Sequence, residues 1–228
     1  MDRTGLEGKG CIATTKLEKE RKNIMYEKLN FTIEGVTPTI MHNGRGASVL
    51  NPIVKEIKKV SSKRNKTDED HALMAQLEWL CGLYTTEDFD FEVNHGIKVA
   101  GGGLPCWPGE NIKAGLIEAA KVNKLGKIFK AAILVIGSYP IIYDGPKTIA
   151  GLFNDRRFWD QRLVVVQRSR IMRTRPIFHK WSLNFDVQYL PSLVNKEQIV
   201  EAVEIMGIRV GLSENRPEYG RFNVTKVE

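Results

Sequence analysis

At 228 residues, 42% of them hydrophobic, the chain is long enough for one domain with a sizeable core or a compact domain carrying insertions. Its 34 lysines and arginines against 27 acids leave a formal charge of +7, which draws polyanions without identifying one. Cys11, Cys81 and Cys106 form no C-x-x-C pair and are odd in number, which argues against a disulfide framework or zinc ribbon, and no apolar run reaches the roughly 20 residues of a membrane span; a reducing, cytoplasmic setting is expected.

Residues 1–24 are rich in Lys, Glu, Gly and Thr, lack an apolar period and end before a second methionine, Met25. They read as a mobile tail, with 25–228 as a single domain. The alternation Leu29, Phe31, Ile33 predicts a core-facing first strand that continues past Thr37-Pro38 to Ile40-Met41. Next, His42-Asn43-Gly44-Arg45-Gly46 sets an imidazole and a guanidinium beside two glycines that let backbone approach a ligand. His42 and Arg45 are therefore candidate phosphate contacts, with an ordinary turn as the alternative.

Leu50, Ile53, Val54 and Ile57 predict one helix, and Leu73, Met74, Leu77, Leu80 and Cys81 a second, capped from Thr67 to Asp70. The link between them is basic, and Lys63 and Arg64 sit at the tip of this helical hairpin as candidate contacts. A short strand is expected over 88–93, where Asp88, Asp90 and Glu92 read as a solvated edge or a cation site. Gly101-Gly102-Gly103 matches neither a phosphate loop nor G-x-G-x-x-G, so no nucleotide cofactor is expected.

Pro105 to Asn111 leads into a helix through Ile112, Leu116, Ile117 and Ala120, and Lys113 on its first turns can join the free amides there in holding an anion. The alternative is a buried Trp107 that fixes the helix start. Strands are expected over 131–136 and 141–143.

From 156 to 175, seven arginines stand beside a single acid, Asp160, interleaved with Val164, Val165, Val166 and Ile171. Guanidinium forks suit phosphates, and the apolar interleaving predicts a half-buried basic β-arm with Arg162, Arg168, Arg170, Arg173 and Arg175 as contacts. Arg168 and Arg170 share a strand phase that Arg173 and Arg175 do not, which predicts a bulge or turn near Ile171-Met172. Trp181, Leu183, Phe185, Val187 and Tyr189 give the clearest strand signal. Asn195 then caps a helix striped by Ile199, Val200, Val203, Met206 and Val210; a Gly211–Gly220 loop carrying Arg216 and a last strand from Arg221 follow.

This order predicts an α+β protein with a ferredoxin-like (RRM-like) core, a helical-hairpin insertion at about 44–104 and a basic β-arm insertion at about 144–179. Three stretches resemble the RAMP superfamily, whose members form the guide-RNA-binding backbone of CRISPR effector complexes. They are Gly35-Val36-Thr37-Pro38-Thr39-Ile40-Met41-His42-Asn43, Trp107-Pro108-Gly109-Glu110-Asn111-Ile112-Lys113-Ala114-Gly115, and the segment from Gly211 to Phe222. The chain also resembles uncharacterised proteins of tailed bacteriophages, which would place it in the cytoplasm of a bacterial host. The resemblance implies a single strand lying across sheet and loops, protomers repeating along it, and His42, Lys113, Arg216 and Arg221 lining the groove. Members that cut RNA carry an acid in the loop after the first strand, whereas His42 to Ser48 contains none.

The leading expectation is a non-catalytic protein that binds single-stranded RNA or DNA with little sequence specificity and oligomerises along it, with Trp107, Phe158, Trp159 and Tyr219 as candidate stacking residues. The alternatives are an endonuclease of the same fold and a phage interaction or assembly factor. Neither catalytic residues nor metal ligands are assigned, because the four histidines lack ligand spacing.

Overall fold

The computed structural model describes residues 25–228 except His95 and Gln167, and the tail expected over 1–24 lies outside the described residues. The chain is mixed α and β. In order it forms β1 (Glu27–Gly35), β2 (Thr39–Ile40), a 3-10 turn (Gly44–Ala47), α1 (Pro52–Ser61), α2 (Asp68–Gly82), β3 (Phe89–Val93), β4 (Ile97–Gly101) and β5 (Cys106–Pro108). There follow α3 (Gly109–Ala120), α4 (Gly126–Ala132), β6 (Ile133–Leu134), β7 (Ser138–Ile142), α5 (Ile149–Asn154), β8 (Trp159–Val166), β9 (Ser169–Phe178), β10 (Ser182–Tyr189), α6 (Lys196–Ile205), a π turn (Met206–Val210) and β11 (Phe222–Val227).

The main sheet runs β11-β1-β10-β7-β5, with β6 also on β10, and each of these pairs is antiparallel. Period-two alternation decides which face is buried: Leu29, Phe31 and Ile33 point inward with Leu183, Phe185, Val187 and Tyr189 of the paired strand. Phe31 stacks on Phe185 at 5.5 Å between ring centroids. Helices α3 and α6 pack against each other through apolar stripes that include the buried Ile112, Leu116, Ile199 and Val203. Gly115 permits the close approach, since a Cβ there would lie 2.4 Å from the Met206 methyl.

Outside this sheet stand the α1–α2 pair, the β3–β4 hairpin and a second sheet of β2, β9 and β8. The capping box expected before α2 is present: Thr67 Oγ1 accepts from the Asp70 amide at 3.3 Å and Asp70 Oδ2 from the Thr67 amide at 3.2 Å. A hydrogen bond from Lys63 is the main cause holding the Asp70 carboxyl below its usual range. Thr67→Ala is expected to cost about 1 kcal/mol, a fall in melting temperature of roughly 2–4 °C by differential scanning calorimetry.

Several elements differ from the sequence reading. Of the strand expected over 131–136 only Ile133–Leu134 forms; 131 and 132 close helix α4, in which Phe129 and Ala132 reach the core at helical spacing while Lys127 and Lys130 stay exposed. An apolar run that short fits either period. The 44–104 segment is not wholly helical, since β3 and β4 pair from Phe89↔Gly101 to Val93↔Ile97. Similarly, the 144–179 segment begins with α5, capped by Thr148 and burying Ile149, Leu152 and Phe153. Nor does a bulge interrupt the arm: β8 and β9 pair without a break from Trp159↔Pro176 to Val166↔Ser169, and the chain reverses at Arg168, whose φ is 70°. The change of arginine phase instead sends Arg170 to one face of the hairpin and Arg173 with Arg175 to the other.

Candidate nucleic-acid interface

Two loops more than 160 residues apart meet on β2. Thr39 Oγ1 donates to the Leu212 carbonyl at 2.5 Å, the Ile40 amide donates to Ser213 Oγ at 2.9 Å, and the Glu214 and Gly220 amides donate to the Ile40 and Pro38 carbonyls. This lacing of the 211–220 loop onto the first strand brings His42 Nδ1 to 3.3 Å from Glu214 Oε1. Arg175 Nη2 reaches the same oxygen at 3.6 Å. Glu214 titrates below its ordinary range chiefly because it hydrogen-bonds His42, with Arg175 and Arg216 adding to the effect.

The other edge of β2 carries the arm. Thr39↔Phe178 and Ile40↔Ile177 fasten the base of β9, and α2 packs against the same strand. The arginines thus divide by position. At the base, Arg173 pairs with Glu78, whose second oxygen accepts from the Thr174 amide at 2.9 Å. Arg162 makes two hydrogen bonds to Asp160, donates to Tyr219 Oη at 3.1 Å and lies over that ring at 4.6 Å. At the tip, Arg168 and Arg170 are exposed and make no ion pair among the described residues. The tip face that holds Arg170 also exposes Leu163, Val165 and Met172.

The remaining candidates are dispersed. Arg45 turns inward: its Nη2 donates to the Leu83 carbonyl at 3.0 Å, its guanidinium lies over Phe89, and burial pushes its pKa down. Lys63 pairs with Asp70 at 2.6 Å, far along the α1–α2 link, where Arg64 is exposed. Lys113 is half-buried on α3. Arg216 is exposed in the laced loop, and Arg221 Nε donates to the Pro217 carbonyl at 2.8 Å. His42, Arg162, Arg173, Arg175 and Arg216 are therefore the ones drawn together.

Of the stacking candidates, Trp107 and Phe158 belong to the core, where large aromatic area is most effectively desolvated. Trp159 is sandwiched by Trp79 at 5.6 Å and the Arg156 guanidinium at 3.9 Å. Tyr219 is half-buried under Arg162. Among the described residues no group of three His, Cys, Asp or Glu side chains is placed to hold a metal ion, the 88–92 acids included.

Two cavities flank His42. One, of about 340 Å³, lies among the His42 loop, α1, α2 and the hairpin base; the other, of about 250 Å³, lies between the 212–216 loop and the start of α3. The second is lined by Trp107, whose buried Nε1 has no hydrogen-bond partner among the described residues. Sequence reasoning missed Glu78 and Glu214. Glu78 was detectable as the acid inside the apolar Leu77–Leu80 turn of α2, but its partner 95 positions away was not.

No protein-family model and no curated protein matches this chain.

Proposed function

We propose that this chain is a non-catalytic protein that binds single-stranded RNA or DNA with little sequence specificity and repeats along it as an oligomer. The observation that carries this reading is the projecting hairpin whose tip arginines, Arg168 and Arg170, have no carboxylate partner among the described residues, while the base arginines are held in place by acids. Ion pairs at the base orient the arm and leave the charge at the tip for phosphates. Arg216, exposed in the laced loop, adds a further guanidinium beside the smaller cavity.

A ferredoxin-like core is supported by the strand order, in which the first strand sits between the last and β10, with β7 beyond, and by the mutual packing of α3 and α6. Membership of the RAMP superfamily, in a phage-type form, is the reading that joins this order to the three motif stretches, two of which meet at β2. One observation favours the endonuclease as a second reading: Glu214 orients His42 through Nδ1, which is how a carboxylate prepares an imidazole for proton transfer.

Fluorescence anisotropy with labelled single-stranded RNA, single-stranded DNA and duplex DNA, titrated against salt, tests the proposal. Single strands are expected to bind more tightly than duplex, with affinity falling as salt rises and the product staying full length on a gel with and without magnesium. Absent binding at about 0.1 M salt sinks the proposal in favour of a protein partner. Shortened product supports the endonuclease.

A further inference from the structure

The larger cavity beside His42 has a composition that the interface reading does not use. Its floor is apolar, from Val54 and Ile57 of α1 and Val164 of the hairpin, and its polar wall includes His42, Arg173 and Arg175. Most other polar groups there are already committed. Asn43 accepts from the Arg45 amide and donates to the Leu83 carbonyl, and Glu78 is held by Arg173 and the Thr174 amide. Two groups are not. Among the described residues, Arg175 Nη1 is buried without a hydrogen-bond partner, and His42 engages Glu214 only through Nδ1. A buried guanidinium N–H without an acceptor is costly, so a ligand bringing an acceptor gains what the protein alone leaves unmade.

The cavity therefore suits a ligand with an anionic acceptor at one end and a flat apolar body at the other. Its volume of about 340 Å³ is at the small end of ligand sites. It lies at the root of the arm on the face of Val164, Arg173 and Arg175, opposite the face of Arg170, so a strand held at the tip enters it by crossing the edge of the arm. We propose that this cleft takes in one nucleotide of the bound strand, its phosphate on Arg175 Nη1 and His42 and its base against Val54, Ile57 and Val164. This rests on the single-strand reading above. Apolar contact with a base face tolerates any base, in keeping with low sequence preference.

The test uses the full chain, mononucleotides with each base, and two cavity-filling variants, Ile57→Trp and Val164→Phe. Ile57 is only partly buried at the cleft wall, and Val164 lies on the arm, so at least one filler is expected to fold as shown by its melting curve. The expected result is that mononucleotides displace a labelled strand, that inorganic phosphate does so at least tenfold less well, and that each folded filler weakens strand binding about tenfold while its salt slope becomes shallower by no more than about 0.7, the one phosphate held in the cleft. If the strand binds but mononucleotides fail to compete and the fillers bind like the parent, the cleft assignment is overturned while the arm reading survives. Fillers that lose mononucleotides yet keep full strand affinity overturn it too, marking a site for free nucleotide. Failure of the parent protein to bind any strand removes both.

Discussion

The Gly220→Val variant is expected to melt on the order of 10 °C below the parent and to lose the His42–Glu214 contact. Gly220 has φ 75°, a region that costs L residues roughly 1–2 kcal/mol and β-branched ones more. A Cβ there would lie 2.4 Å from the Leu212 carbonyl oxygen and 2.5 Å from its carbon, both backbone atoms with no rotamer to turn away. Relief requires moving the loop, yet Gly220 is tied on both sides: its amide donates to Pro38 and its carbonyl accepts from Leu212. Strain and lost hydrogen bonds together put the cost at about 3–5 kcal/mol. At roughly 2–4 °C per kcal/mol for a chain of this size, that gives the stated shift. Gly44→Ala is the matched control: a Cβ there meets nothing within 4 Å, and a near-parental melting temperature is expected. Calorimetry of both variants decides the matter, and a Gly220→Val protein that melts with the parent would show that the loop is not constrained as described.

The second large effect separates the tip of the arm from its base. For Arg168→Ala with Arg170→Ala, the slope of log affinity against log salt is expected to become shallower by about 1.4, two phosphate contacts at roughly 0.7 each for a single strand, with the melting temperature unchanged. Neither side chain has a carboxylate partner among the described residues, and alanine occupies the positive φ of Arg168 no worse than arginine does. Arg173→Ala should behave in the opposite way. It strips the guanidinium from Glu78, only 10% exposed, at a cost of about 1–3 kcal/mol, and binding falls mainly because the base of the arm loosens. Paired salt titrations and melts distinguish the two classes. An unchanged slope in the tip variant removes the arm from the binding surface.

Much of the main sheet was legible because its signals are local. Leu29, Phe31 and Ile33 alternate, as do the residues from Trp181 to Tyr189, and a strand with one buried face needs nothing else to reveal it. The caps at Thr67 and Asn195 were equally plain, and at Asn195 the structure adds Gln198, three residues on, to complete a capping box. Where the apolar run was short, as over 131–136, period alone did not place the boundary between helix and strand, and α4 just before Ile133–Leu134 was missed. Of the candidate site, the sequence identified the basic arm, the His42 loop and the glycine-bounded loop, but treated the arginines of 156–175 as nearly unopposed.

What the chain determines by itself is therefore its charge, its amphipathic faces and its caps, because these are read from composition or from neighbours within a few residues. Only the tertiary structure decides which charges remain available. Glu78 reaches Arg173, and Glu214 reaches both His42 and Arg175, because β2 binds the arm on one side and the last loop on the other. Ion pairs fall off over a few ångströms of space and take no account of sequence distance, so a run of seven arginines becomes a braced base and a tip without carboxylate partners among the described residues only after folding.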